Sequence, residues 1–393
     1  MHQTGLDMTT TNKFPVLGQV TTGFEPVRAV FEENFTKRGD VGAAVHVTLN
    51  GETIIDLWGG AADVAGKNLW TADTLVNVWS TTKGWLALAM HMLADRGLLD
   101  FEAPVAHYWP EFARHGKSAV LVKHVLLHTS GLPAPSMKVP DEALYHWEDM
   151  IQYLEQSTLF WQPGTQAGYH AGTFGWLNGE VLRRITGMSV GDFLRSQIAQ
   201  PLAADTFIGL TSHEQARTAE TIPPHPLMRL LLRAMMLTGS SVKAKALRNP
   251  PRPPEAVNTS RWREAQIPSS NGHASARGLA RLYTALALGG TLNGVRLLSE
   301  TAVEQAYREQ FHGKDSVIGT DVRRSLGFML PELGTDDPRS ASAFGHPGQG
   351  GSIGFADPQK RLAMGYVMNR MVFGPDRRWL ELCRAVYTCL DQR

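Results

Sequence analysis

The sequence predicts an α+β fold, in which segments from the two ends of the chain build one antiparallel sheet flanked by helices, with a mostly helical domain inserted between them. Three observations predict it: β-rich runs before residue 60, further β-rich runs after residue 325, and helical periodicity between them. Regularly alternating strand and helix units are missing, which argues against a doubly wound parallel sheet. We therefore assign residues 1–79 and 265–393 to a sheet domain and residues 80–264 to the helical domain.

The N-terminal part of the predicted sheet is a hairpin. A helical stretch from Gly23 to Lys37 precedes two β-rich runs, Gly42–Leu49 and Thr53–Gly59, which flank the dipeptide Asn50-Gly51. Asn-Gly between two such runs is a strong signal for a two-residue hairpin turn. This segment therefore supplies a first helix and two strands of the sheet.

The middle of the chain is mostly helical. The predicted helices are Thr81–Gly97, Val120–Leu127, Trp147–Gln156, Phe174–Thr186, Val190–Ile198 and Ala276–Leu288. The proline-rich segment Thr211–Pro268 is predicted to be an elaborated loop with one short helix. It is either a cap-like excursion at 211–264 or a partly mobile surface loop. Its apolar and basic run, Leu227–Leu237, fits a lid or an oligomer contact better than a membrane-surface helix.

The C-terminal part returns to strands. The β-rich runs are Leu326–Leu330, Ala343–His346, Ser352–Phe355 and Arg361–Met368. Asp357-Pro358 supplies a turn before the last run, and a helix from about Arg377 to Leu390 would cover one face of the sheet. Cys383 and Cys389 lie six positions apart on that helix and point in different directions, so neither a disulfide nor a shared metal is expected.

Composition excludes several classes of protein. Apolar residues make up 43% of the chain and charged residues 19%, which is typical of a globular protein. A net charge of +1 gives no bias towards nucleic acid or an anionic membrane. No apolar run of about 18 residues occurs and the N-terminus lacks an apolar targeting core, so we expect a cytoplasmic protein. The histidines lack metal-ligand spacing, so no metal or cofactor is expected, and His124 and His128 should form local hydrogen bonds.

A serine stands where the first long predicted helix begins, and a lysine follows three residues later. Ser80 and Lys83 share one helix face, because residues three apart on a helix are neighbours. A buried lysine can deprotonate a serine hydroxyl, since desolvation lowers the pKa of its amine. At a helix start, Ser80 also offers a free backbone N–H and a favourable dipole to an oxyanion. Alone, Ser-x-x-Lys favours an N-cap serine and a surface lysine, because chance produces the motif in most long chains.

Three further motifs accompany this one. Residues 80–83 read Ser-Thr-Thr-Lys, 125–133 read Val-Leu-Leu-His-Thr-Ser-Gly-Leu-Pro, 169–171 read Tyr-His-Ala and 346–348 read His-Pro-Gly. In this order and spacing they resemble the motifs of the serine β-lactamase and penicillin-binding-protein superfamily, especially its class C-like and family VIII carboxylesterase branches. The resemblance covers roughly Phe24 to Tyr387. It implies the β-lactamase/transpeptidase-like version of the α+β fold.

The resemblance also implies roles for individual residues. Ser80 would be the nucleophile and Lys83 would help to deprotonate it. Tyr169 would share the role of base and then protonate the leaving alkoxide, which requires nearby cations such as Lys83 to lower the pKa of the phenol. The oxyanion hole would be the backbone N–H groups of Ser80 and Gln349. Substrate contacts are expected from His346, Gly348, Gly350, His170 and Trp79.

Two departures from the family pattern bear on the substrate. Ala171 stands where the lactamases usually carry asparagine, which removes an amide that would hold a substrate amide group. His346 stands where they usually carry lysine, so a permanent cation for a substrate carboxylate is replaced by a group that is mostly neutral at neutral pH. Both changes favour an uncharged ester over a β-lactam or a peptide.

A second serine motif competes with Ser80. Residues 350–354 read Gly-Gly-Ser-Ile-Gly, which satisfies the Gly-x-Ser-x-Gly pattern of α/β-hydrolases around Ser352. In those enzymes a helix follows the serine and the catalytic histidine lies downstream, whereas here a strand is predicted next and no histidine follows His346. Ser352 is therefore not the expected nucleophile.

Three hypotheses for the function follow. The first is a carboxylesterase that cleaves short-chain esters through an acyl-enzyme on Ser80, with a small ester as its binding partner. The second keeps the acyl-enzyme but changes the donor or acceptor, as in a D-amino-acid peptidase, a weak β-lactamase or an acyltransferase. The third is a catalytically idle scaffold that binds a ligand or a partner. The sequence specifies neither the natural acyl and alcohol groups nor the oligomeric state.

Overall fold

The computed structural model describes residues 15–224, 241–252, 254–372 and 376–393. Its strands are β1 Val16–Val20, β2 Gly42–Leu49, β3 Glu52–Gly60, β4 Val76–Asn77, β5 Thr206–Phe207, β6 His273–Ala274, β7 Thr291–Leu292, β8 Val295–Arg296, β9 Phe311–Lys314, β10 Asp321–Arg324, β11 Met329–Leu330, β12 Phe344–Pro347, β13 Ile353–Asp357 and β14 Leu362–Met368. Nine of them form one antiparallel sheet in the order β1-β3-β2-β14-β13-β12-β11-β10-β9. The predicted α+β fold is confirmed.

Helices cover the sheet and fill the inserted region. They are α1 Glu25–Thr36, α2 Thr82–Asp95, α3 Val105–Tyr108, α4 Val122–Leu126, α5 Trp147–Gln156, α6 Thr173–Thr186, α7 Val190–Leu194, α8 Gln200–Leu202, α9 Ser212–Ala216, α10 Val242–Arg248, α11 Ser260–Glu264, α12 Ala276–Ala287, α13 Glu300–Tyr307 and α14 Arg377–Asp391. Within the described ranges, none is both long and apolar enough to cross a membrane. The division of the chain into two domains stays a prediction.

The hairpin β2–β3 and the C-terminal strand β14 form the centre of the sheet. Asn50 and Gly51 have φ values of 52° and 88°, as a two-residue turn with left-handed central residues requires. Strand β2 then pairs antiparallel with β14, for example Val47 with Met364. The two ends of the chain therefore meet in neighbouring strands, as the sequence predicted.

Each face of the sheet packs against different helices. Alternate side chains of β2, such as Val45 and Val47, join α1 and α14 in one apolar cluster. Helix α12 packs on the opposite face, where Gly365 of β14 lets it approach closely, because a Cβ there would lie 2.5 Å from the carbonyl oxygen of Ala276. Cys383 and Cys389 of α14 are buried and free, as predicted.

Helix α2 lies at the junction between the sheet and the inserted helices. Its residues from Thr82 to Leu93 are all buried, so it is the central helix of the larger apolar cluster rather than an amphipathic surface helix. The turn that leads into it contacts the edge of β12, since a Cβ on Gly348 would lie 2.2 Å from the carbonyl oxygen of Val78. This packing positions the start of α2 beside the sheet.

The structure corrects the description of the segment 211–268. The sequence predicted one short helix, but the described part contains α9, α10, α11 and a 3-10 turn at Pro254–Asn258. Thr211, Ser241 and Thr259 each cap the following helix with a side-chain oxygen. These helices are too short to show a hydrophobic period, which is why the pattern missed them. The run Leu227–Leu237 lies outside the described residues, as do residues 1–14.

Candidate active site

Ser80 lies in a 3-10 turn, Trp79–Thr81, immediately before α2. Trp79 has a φ of 50°, which is uncommon for a bulky residue and typical of strained positions at functional sites. Trp79 and Thr81 are buried, whereas Ser80 is only half-buried. The turn therefore presents the Ser80 hydroxyl and keeps its two neighbours in the core.

Lys83 places its amine beside that hydroxyl. The side chain is fully buried, and its Nζ lies 3.2 Å from Ser80 Oγ, 3.0 Å from the carbonyl oxygen of Ala171 and 2.9 Å from that of Ser269. Burial, assisted by the positive charge of Arg252, lowers the pKa of Lys83 well below its usual value. A neutral amine has two N–H groups, which match the two carbonyls, and one lone pair, which is then left for the Ser80 O–H. The geometry suits a base.

Tyr169 lies in the loop before α6 and completes the cluster. Its ring centroid is 5.0 Å from Lys83 Nζ. Burial raises the pKa of Tyr169 to about 12, although a hydrogen bond with Ser80 and the charges of Arg324 and Arg252 act in the opposite direction. Nearby cations therefore act in the expected direction on the pKa of this phenol, but desolvation outweighs them. Tyr169 is a neutral phenol, able to donate a proton.

The Tyr169 loop is held by the hairpin β9–β10 at the far edge of the sheet. The backbone N–H of Tyr169 donates to Asp315 Oδ1 at 3.1 Å, and Arg324 Nη2 donates to Asp315 Oδ2 at 2.6 Å. This ion pair is at most 1% exposed. Ser316 adds two hydrogen bonds to the carbonyl oxygen of Ala167, at 3.0 and 2.9 Å. The sequence showed no signal for these residues, because a polar β9–β10 edge lacks an alternating apolar pattern.

His170 does not face the substrate side of the site. It is fully buried, and its Nδ1 and Nε2 lie 2.6 Å from the carbonyl oxygen of Gly168 and 2.6 Å from Ser130 Oγ. Burial lowers its pKa to about 4. Both ring nitrogens are therefore engaged in holding the loop, which corrects the prediction that His170 contacts substrate. His128 acts in the same way, since its Nδ1 accepts the backbone N–H of His170 at 3.1 Å.

The turn after β12 lies beside the Ser80 turn. Gly348 is required there because any side chain would collide with Val78 and Thr81. Gln349 is exposed, and its backbone N–H makes no backbone hydrogen bond to the described residues. In the Ser80 turn, the first backbone N–H that donates to a backbone carbonyl of the described residues is that of Thr81, which donates to the carbonyl oxygen of Val78 at 3.2 Å. The amides of Ser80 and Gln349 thus lie on adjoining segments, available as a pair of donors.

Gly350 and Trp79 lie behind the site rather than in it. Gly350 is buried against Met371, and its carbonyl oxygen accepts a hydrogen bond from Arg378 Nη2 at 2.5 Å. Trp79 is 4% exposed and packs on Trp262 with ring centroids 5.9 Å apart. The predicted substrate contacts of both residues are not supported, because the fold uses them to anchor the two turns.

His346 is a neutral, buried neighbour of Tyr169. Its Nδ1 lies 2.7 Å from the carbonyl oxygen of Pro347, which can only accept, so Nδ1 carries the hydrogen. Nε2 is buried and has no partner in the described ranges, and the ring lies 6.1 Å from that of Tyr169. Burial and the charge of Lys83 lower the pKa of His346 to about 3. The position that is a lysine in the lactamases thus carries no charge here.

A cation that the sequence did not reveal approaches from the 211–268 segment. Arg252 is partly exposed, and its Nη1 lies so close to Gly172 that a Cβ there would be 2.2 Å away. Burial lowers the pKa of Arg252 to about 10, opposed by its interaction with Tyr169. It stands among prolines at 250–254 without any periodic pattern, so only the tertiary structure relates it to Lys83 and Tyr169.

Ser352 has a structural role. Its hydroxyl is buried, donates to the carbonyl oxygen of Val78 at 2.8 Å and lies 3.1 Å from Thr81 Oγ1. Strand β13 follows it, where a nucleophile elbow needs a helix. Ser352 ties the β12–β13 turn to the Ser80 turn. The described residues also contain no group of three His, Cys, Asp or Glu side chains able to hold a metal ion.

Comparisons with known proteins agree with this fold. A family model described as "Beta-lactamase" matches residues 27–384. The chain is 34% identical over 366 residues to "Esterase/beta-lactamase LipL" of Mycobacterium tuberculosis, with 91% of this chain and 83% of that protein covered. It is similar to the solved structure of a family VIII carboxylesterase, with 40% identity, a TM-score of 0.88 and coverage of 95% and 100%. A penicillin-binding protein homologue from Caulobacter crescentus has 35% identity, a TM-score of 0.86 and the same coverage.

Proposed function

The chain belongs to the beta-lactamase family, and from that premise we propose that it is a serine hydrolase that cleaves short-chain carboxylic esters through an acyl-enzyme on Ser80. One observation carries the proposal. The buried Lys83 amine lies 3.2 Å from the Ser80 hydroxyl while two carbonyls occupy its other hydrogen-bonding positions. This arrangement supports a neutral amine that acts as a base.

Acylation begins when Lys83 removes the proton from Ser80. The Ser80 oxygen then bonds to the ester carbonyl carbon, and the N–H groups of Ser80 and Gln349 stabilise the oxyanion. When the carbon–oxygen bond to the alcohol breaks, Tyr169 donates its phenolic proton to the leaving alkoxide. Lys83 returns its proton to Tyr169, so the enzyme ends with a neutral amine, a neutral phenol and an acylated serine.

In deacylation Lys83 is the base again and water is the nucleophile. Water approaches the acyl carbonyl, loses a proton to Lys83 and forms a bond to the carbonyl carbon. The bond between that carbon and Ser80 then breaks, and the serine oxygen receives the proton from Lys83. The acid is released and the starting enzyme is restored. No group other than Ser80, Lys83, Tyr169 and two backbone amides is needed for this cycle.

Two features favour esters over amides. Ala171 offers no side-chain amide to hold a substrate amide group. Relatives named as esterases or carboxylesterases include the protein from M. tuberculosis and the solved structure of highest identity cited above. A weak β-lactamase activity is the second candidate, because the first of these names also contains "beta-lactamase". Peptidase and acyltransferase activity remain alternatives of the same chemistry.

Short-chain esters with a chromogenic leaving group test the proposal. We expect 4-nitrophenyl acetate and butyrate to be hydrolysed, Ser80→Ala to abolish turnover, and Ser352→Ala to retain it. A fluorophosphonate probe followed by mass spectrometry should find the adduct on Ser80. Turnover that survives Ser80→Ala but not Ser352→Ala would contradict the assignment. Fast opening of nitrocefin without ester hydrolysis would favour a β-lactamase, and a folded protein that is never labelled would favour a scaffold.

A further inference from the structure

Arg252 gives the site a positive charge that no carboxylate in the described part of the chain neutralises. Its guanidinium donates to the carbonyl oxygens of Ala246, Leu247 and Pro250, at 3.2 to 3.4 Å. No Asp or Glu among the described residues forms an ion pair with it. The three carbonyls fix the orientation of the guanidinium but leave its full charge uncompensated.

The other charged groups near Ser80 are accounted for. Arg324 is paired with Asp315 at 2.6 Å. Burial and the neighbouring Arg252 lower the pKa of Lys83 well below its usual value, which favours the neutral amine. The Nδ1–H of His346 donates to the carbonyl oxygen of Pro347, and the lowered pKa of the ring keeps it neutral. The net charge of the site is therefore positive, and it resides on Arg252.

The guanidinium is close to the reacting groups. Arg252 Nη1 lies against Gly172, the residue after Ala171, whose carbonyl oxygen accepts from Lys83 at 3.0 Å. The positive charge of Arg252 acts to lower the pKa of Lys83 and the pKa of Tyr169. A substrate bound at Ser80 thus lies near a planar cation whose Nε–H and second Nη1–H are not used by the three carbonyls.

We propose that Arg252 anchors a carboxylate of the substrate, so that the preferred esters carry a second, free carboxylate a few bonds from the ester group. This inference rests on the proposed esterase function and deepens it. A partly desolvated guanidinium gains more from a carboxylate than from water, because charge-assisted hydrogen bonds are stronger than neutral ones. The segment 211–268 therefore supplies the anion recognition that His346 cannot.

Two matched pairs of esters test the anchor on either side of the ester group. On the acyl side, monomethyl glutarate ends in a carboxylate where methyl valerate ends in a methyl group. The acetate ester of 4-hydroxybenzoate and 4-methylphenyl acetate differ in the same way on the alcohol side. We expect the protein to prefer the carboxylate-bearing member of at least one pair, and the pair that shows the preference identifies the side.

The variants separate the anchor from an indirect effect through Lys83. Arg252→Met should lower kcat/KM for the preferred carboxylate ester by about tenfold to a hundredfold, and Arg252→Lys should lower it less. The matched neutral ester should lose clearly less than the carboxylate ester, so the ratio of the two kcat/KM values is the measurement. All rates are compared on the alkaline plateau, where Lys83 is neutral in every variant. Lys243→Met, which removes an exposed cation from helix α10 in the same segment 211–268, is the control and should not change the preference.

Three results would overturn the anchor. The first is that the protein prefers the carboxylate ester in neither pair. The second is that Arg252→Met keeps the preference unchanged. The third is that Arg252→Met lowers kcat/KM equally for both members of a pair. The last would mean that Arg252 acts on the reaction through Lys83 alone. The unaltered protein and Ser80→Ala, assayed in parallel with 4-nitrophenyl butyrate, distinguish these failures from a failure of the esterase proposal. That proposal fails if the unaltered protein does not hydrolyse the ester or if turnover persists without Ser80, whereas the anchor alone fails if turnover is present and depends on Ser80.

Discussion

The two halves of the candidate site are built in different ways. Ser80 and Lys83 are three residues apart at the start of one buried helix, so local backbone geometry brings them together. Tyr169 lies on a loop and is held by Asp315, which is 146 residues away on an edge hairpin of the sheet. The first half is rigid by secondary structure and the second by tertiary contacts. The base should thus be robust to remote changes, whereas the proton donor should depend on them.

Removing the base should have the largest effect. Lys83→Met keeps the length of the side chain but has no lone pair for the Ser80 proton, so kcat should fall about 10²- to 10⁴-fold. The loss should be similar for aryl and alkyl esters, because attack by Ser80 precedes departure of either alcohol. Steady-state kinetics with 4-nitrophenyl butyrate and methyl butyrate measures it. A variant that retains most of its kcat would mean that another group takes the proton.

Removing the proton donor should have a smaller effect that depends on the substrate. Tyr169→Phe leaves alkyl alkoxides without a proton, so turnover of methyl butyrate should fall about 10²-fold. An aryl ester such as 4-nitrophenyl butyrate has a leaving group that departs as an anion, and it should lose about tenfold at most. The ratio of the two losses is the measurement. Equal losses would show that Tyr169 acts in the attack and not in the departure.

Loosening the tertiary support of Tyr169 should reproduce this pattern in weaker form. Asp315→Asn removes the charge from the acceptor of the Tyr169 N–H, so kcat for methyl butyrate should fall about tenfold with little change in KM. Aryl esters should be affected less. Asp337→Asn is a matched control, because it weakens the Asp337–Arg339 pair at 2.5 Å, outside the site, and activity per folded molecule should be retained. Losses independent of the leaving group would contradict the positioning role.

Measurements of stability distinguish the role of Asp315 in holding the Tyr169 loop from its role in stabilising the fold. Asp315→Ala leaves Arg324 buried without its carboxylate and should destabilise the protein by about 3–5 kcal/mol. The double variant Asp315→Ala/Arg324→Met should recover much of that stability, because no unpaired buried charge remains. We expect it not to recover activity on alkyl esters, since the Tyr169 N–H still lacks its acceptor. Urea unfolding with parallel kinetics checks both statements.

The smallest expected effect is a shift in the pH profile. Lys83 acts only when neutral, so kcat/KM should rise with pH through its lowered pKa and then reach a plateau. Tyr169 must be protonated, and its pKa of about 12 places any alkaline decline far above neutral pH. Arg252→Met removes a neighbouring cation, which raises the pKa of Lys83 and moves the acid limb to higher pH. A bell-shaped profile centred near neutral pH would indicate that a tyrosinate is the resting form.

Sequence patterns were most accurate where a structure depends on neighbours along the chain. Helix α5 and strand β2 begin and end at the predicted residues, and Asn50-Gly51 forms the predicted turn. The edge strands β9 and β10 were missed because their residues are mostly polar. The capped helices between 211 and 268 were missed because they are short. A hydrophobic period needs length and a buried face, and these elements lack one or the other.

For the candidate site, the sequence by itself determined the residue types and their order: a serine and a lysine one turn apart, a tyrosine, and a glycine-rich turn. It could not determine which side chains face the substrate. His170, Gly350 and Trp79 turned out to support the backbone, because their contacts come from distant segments.

Only the tertiary structure decided the charges. Burial of Tyr169 outweighs its cationic neighbours, and Arg252 reaches the site from a segment without any sequence signal. The physical reason is that desolvation and ion pairing depend on the distance between atoms and on what surrounds them. Covalent order along the chain does not encode either quantity.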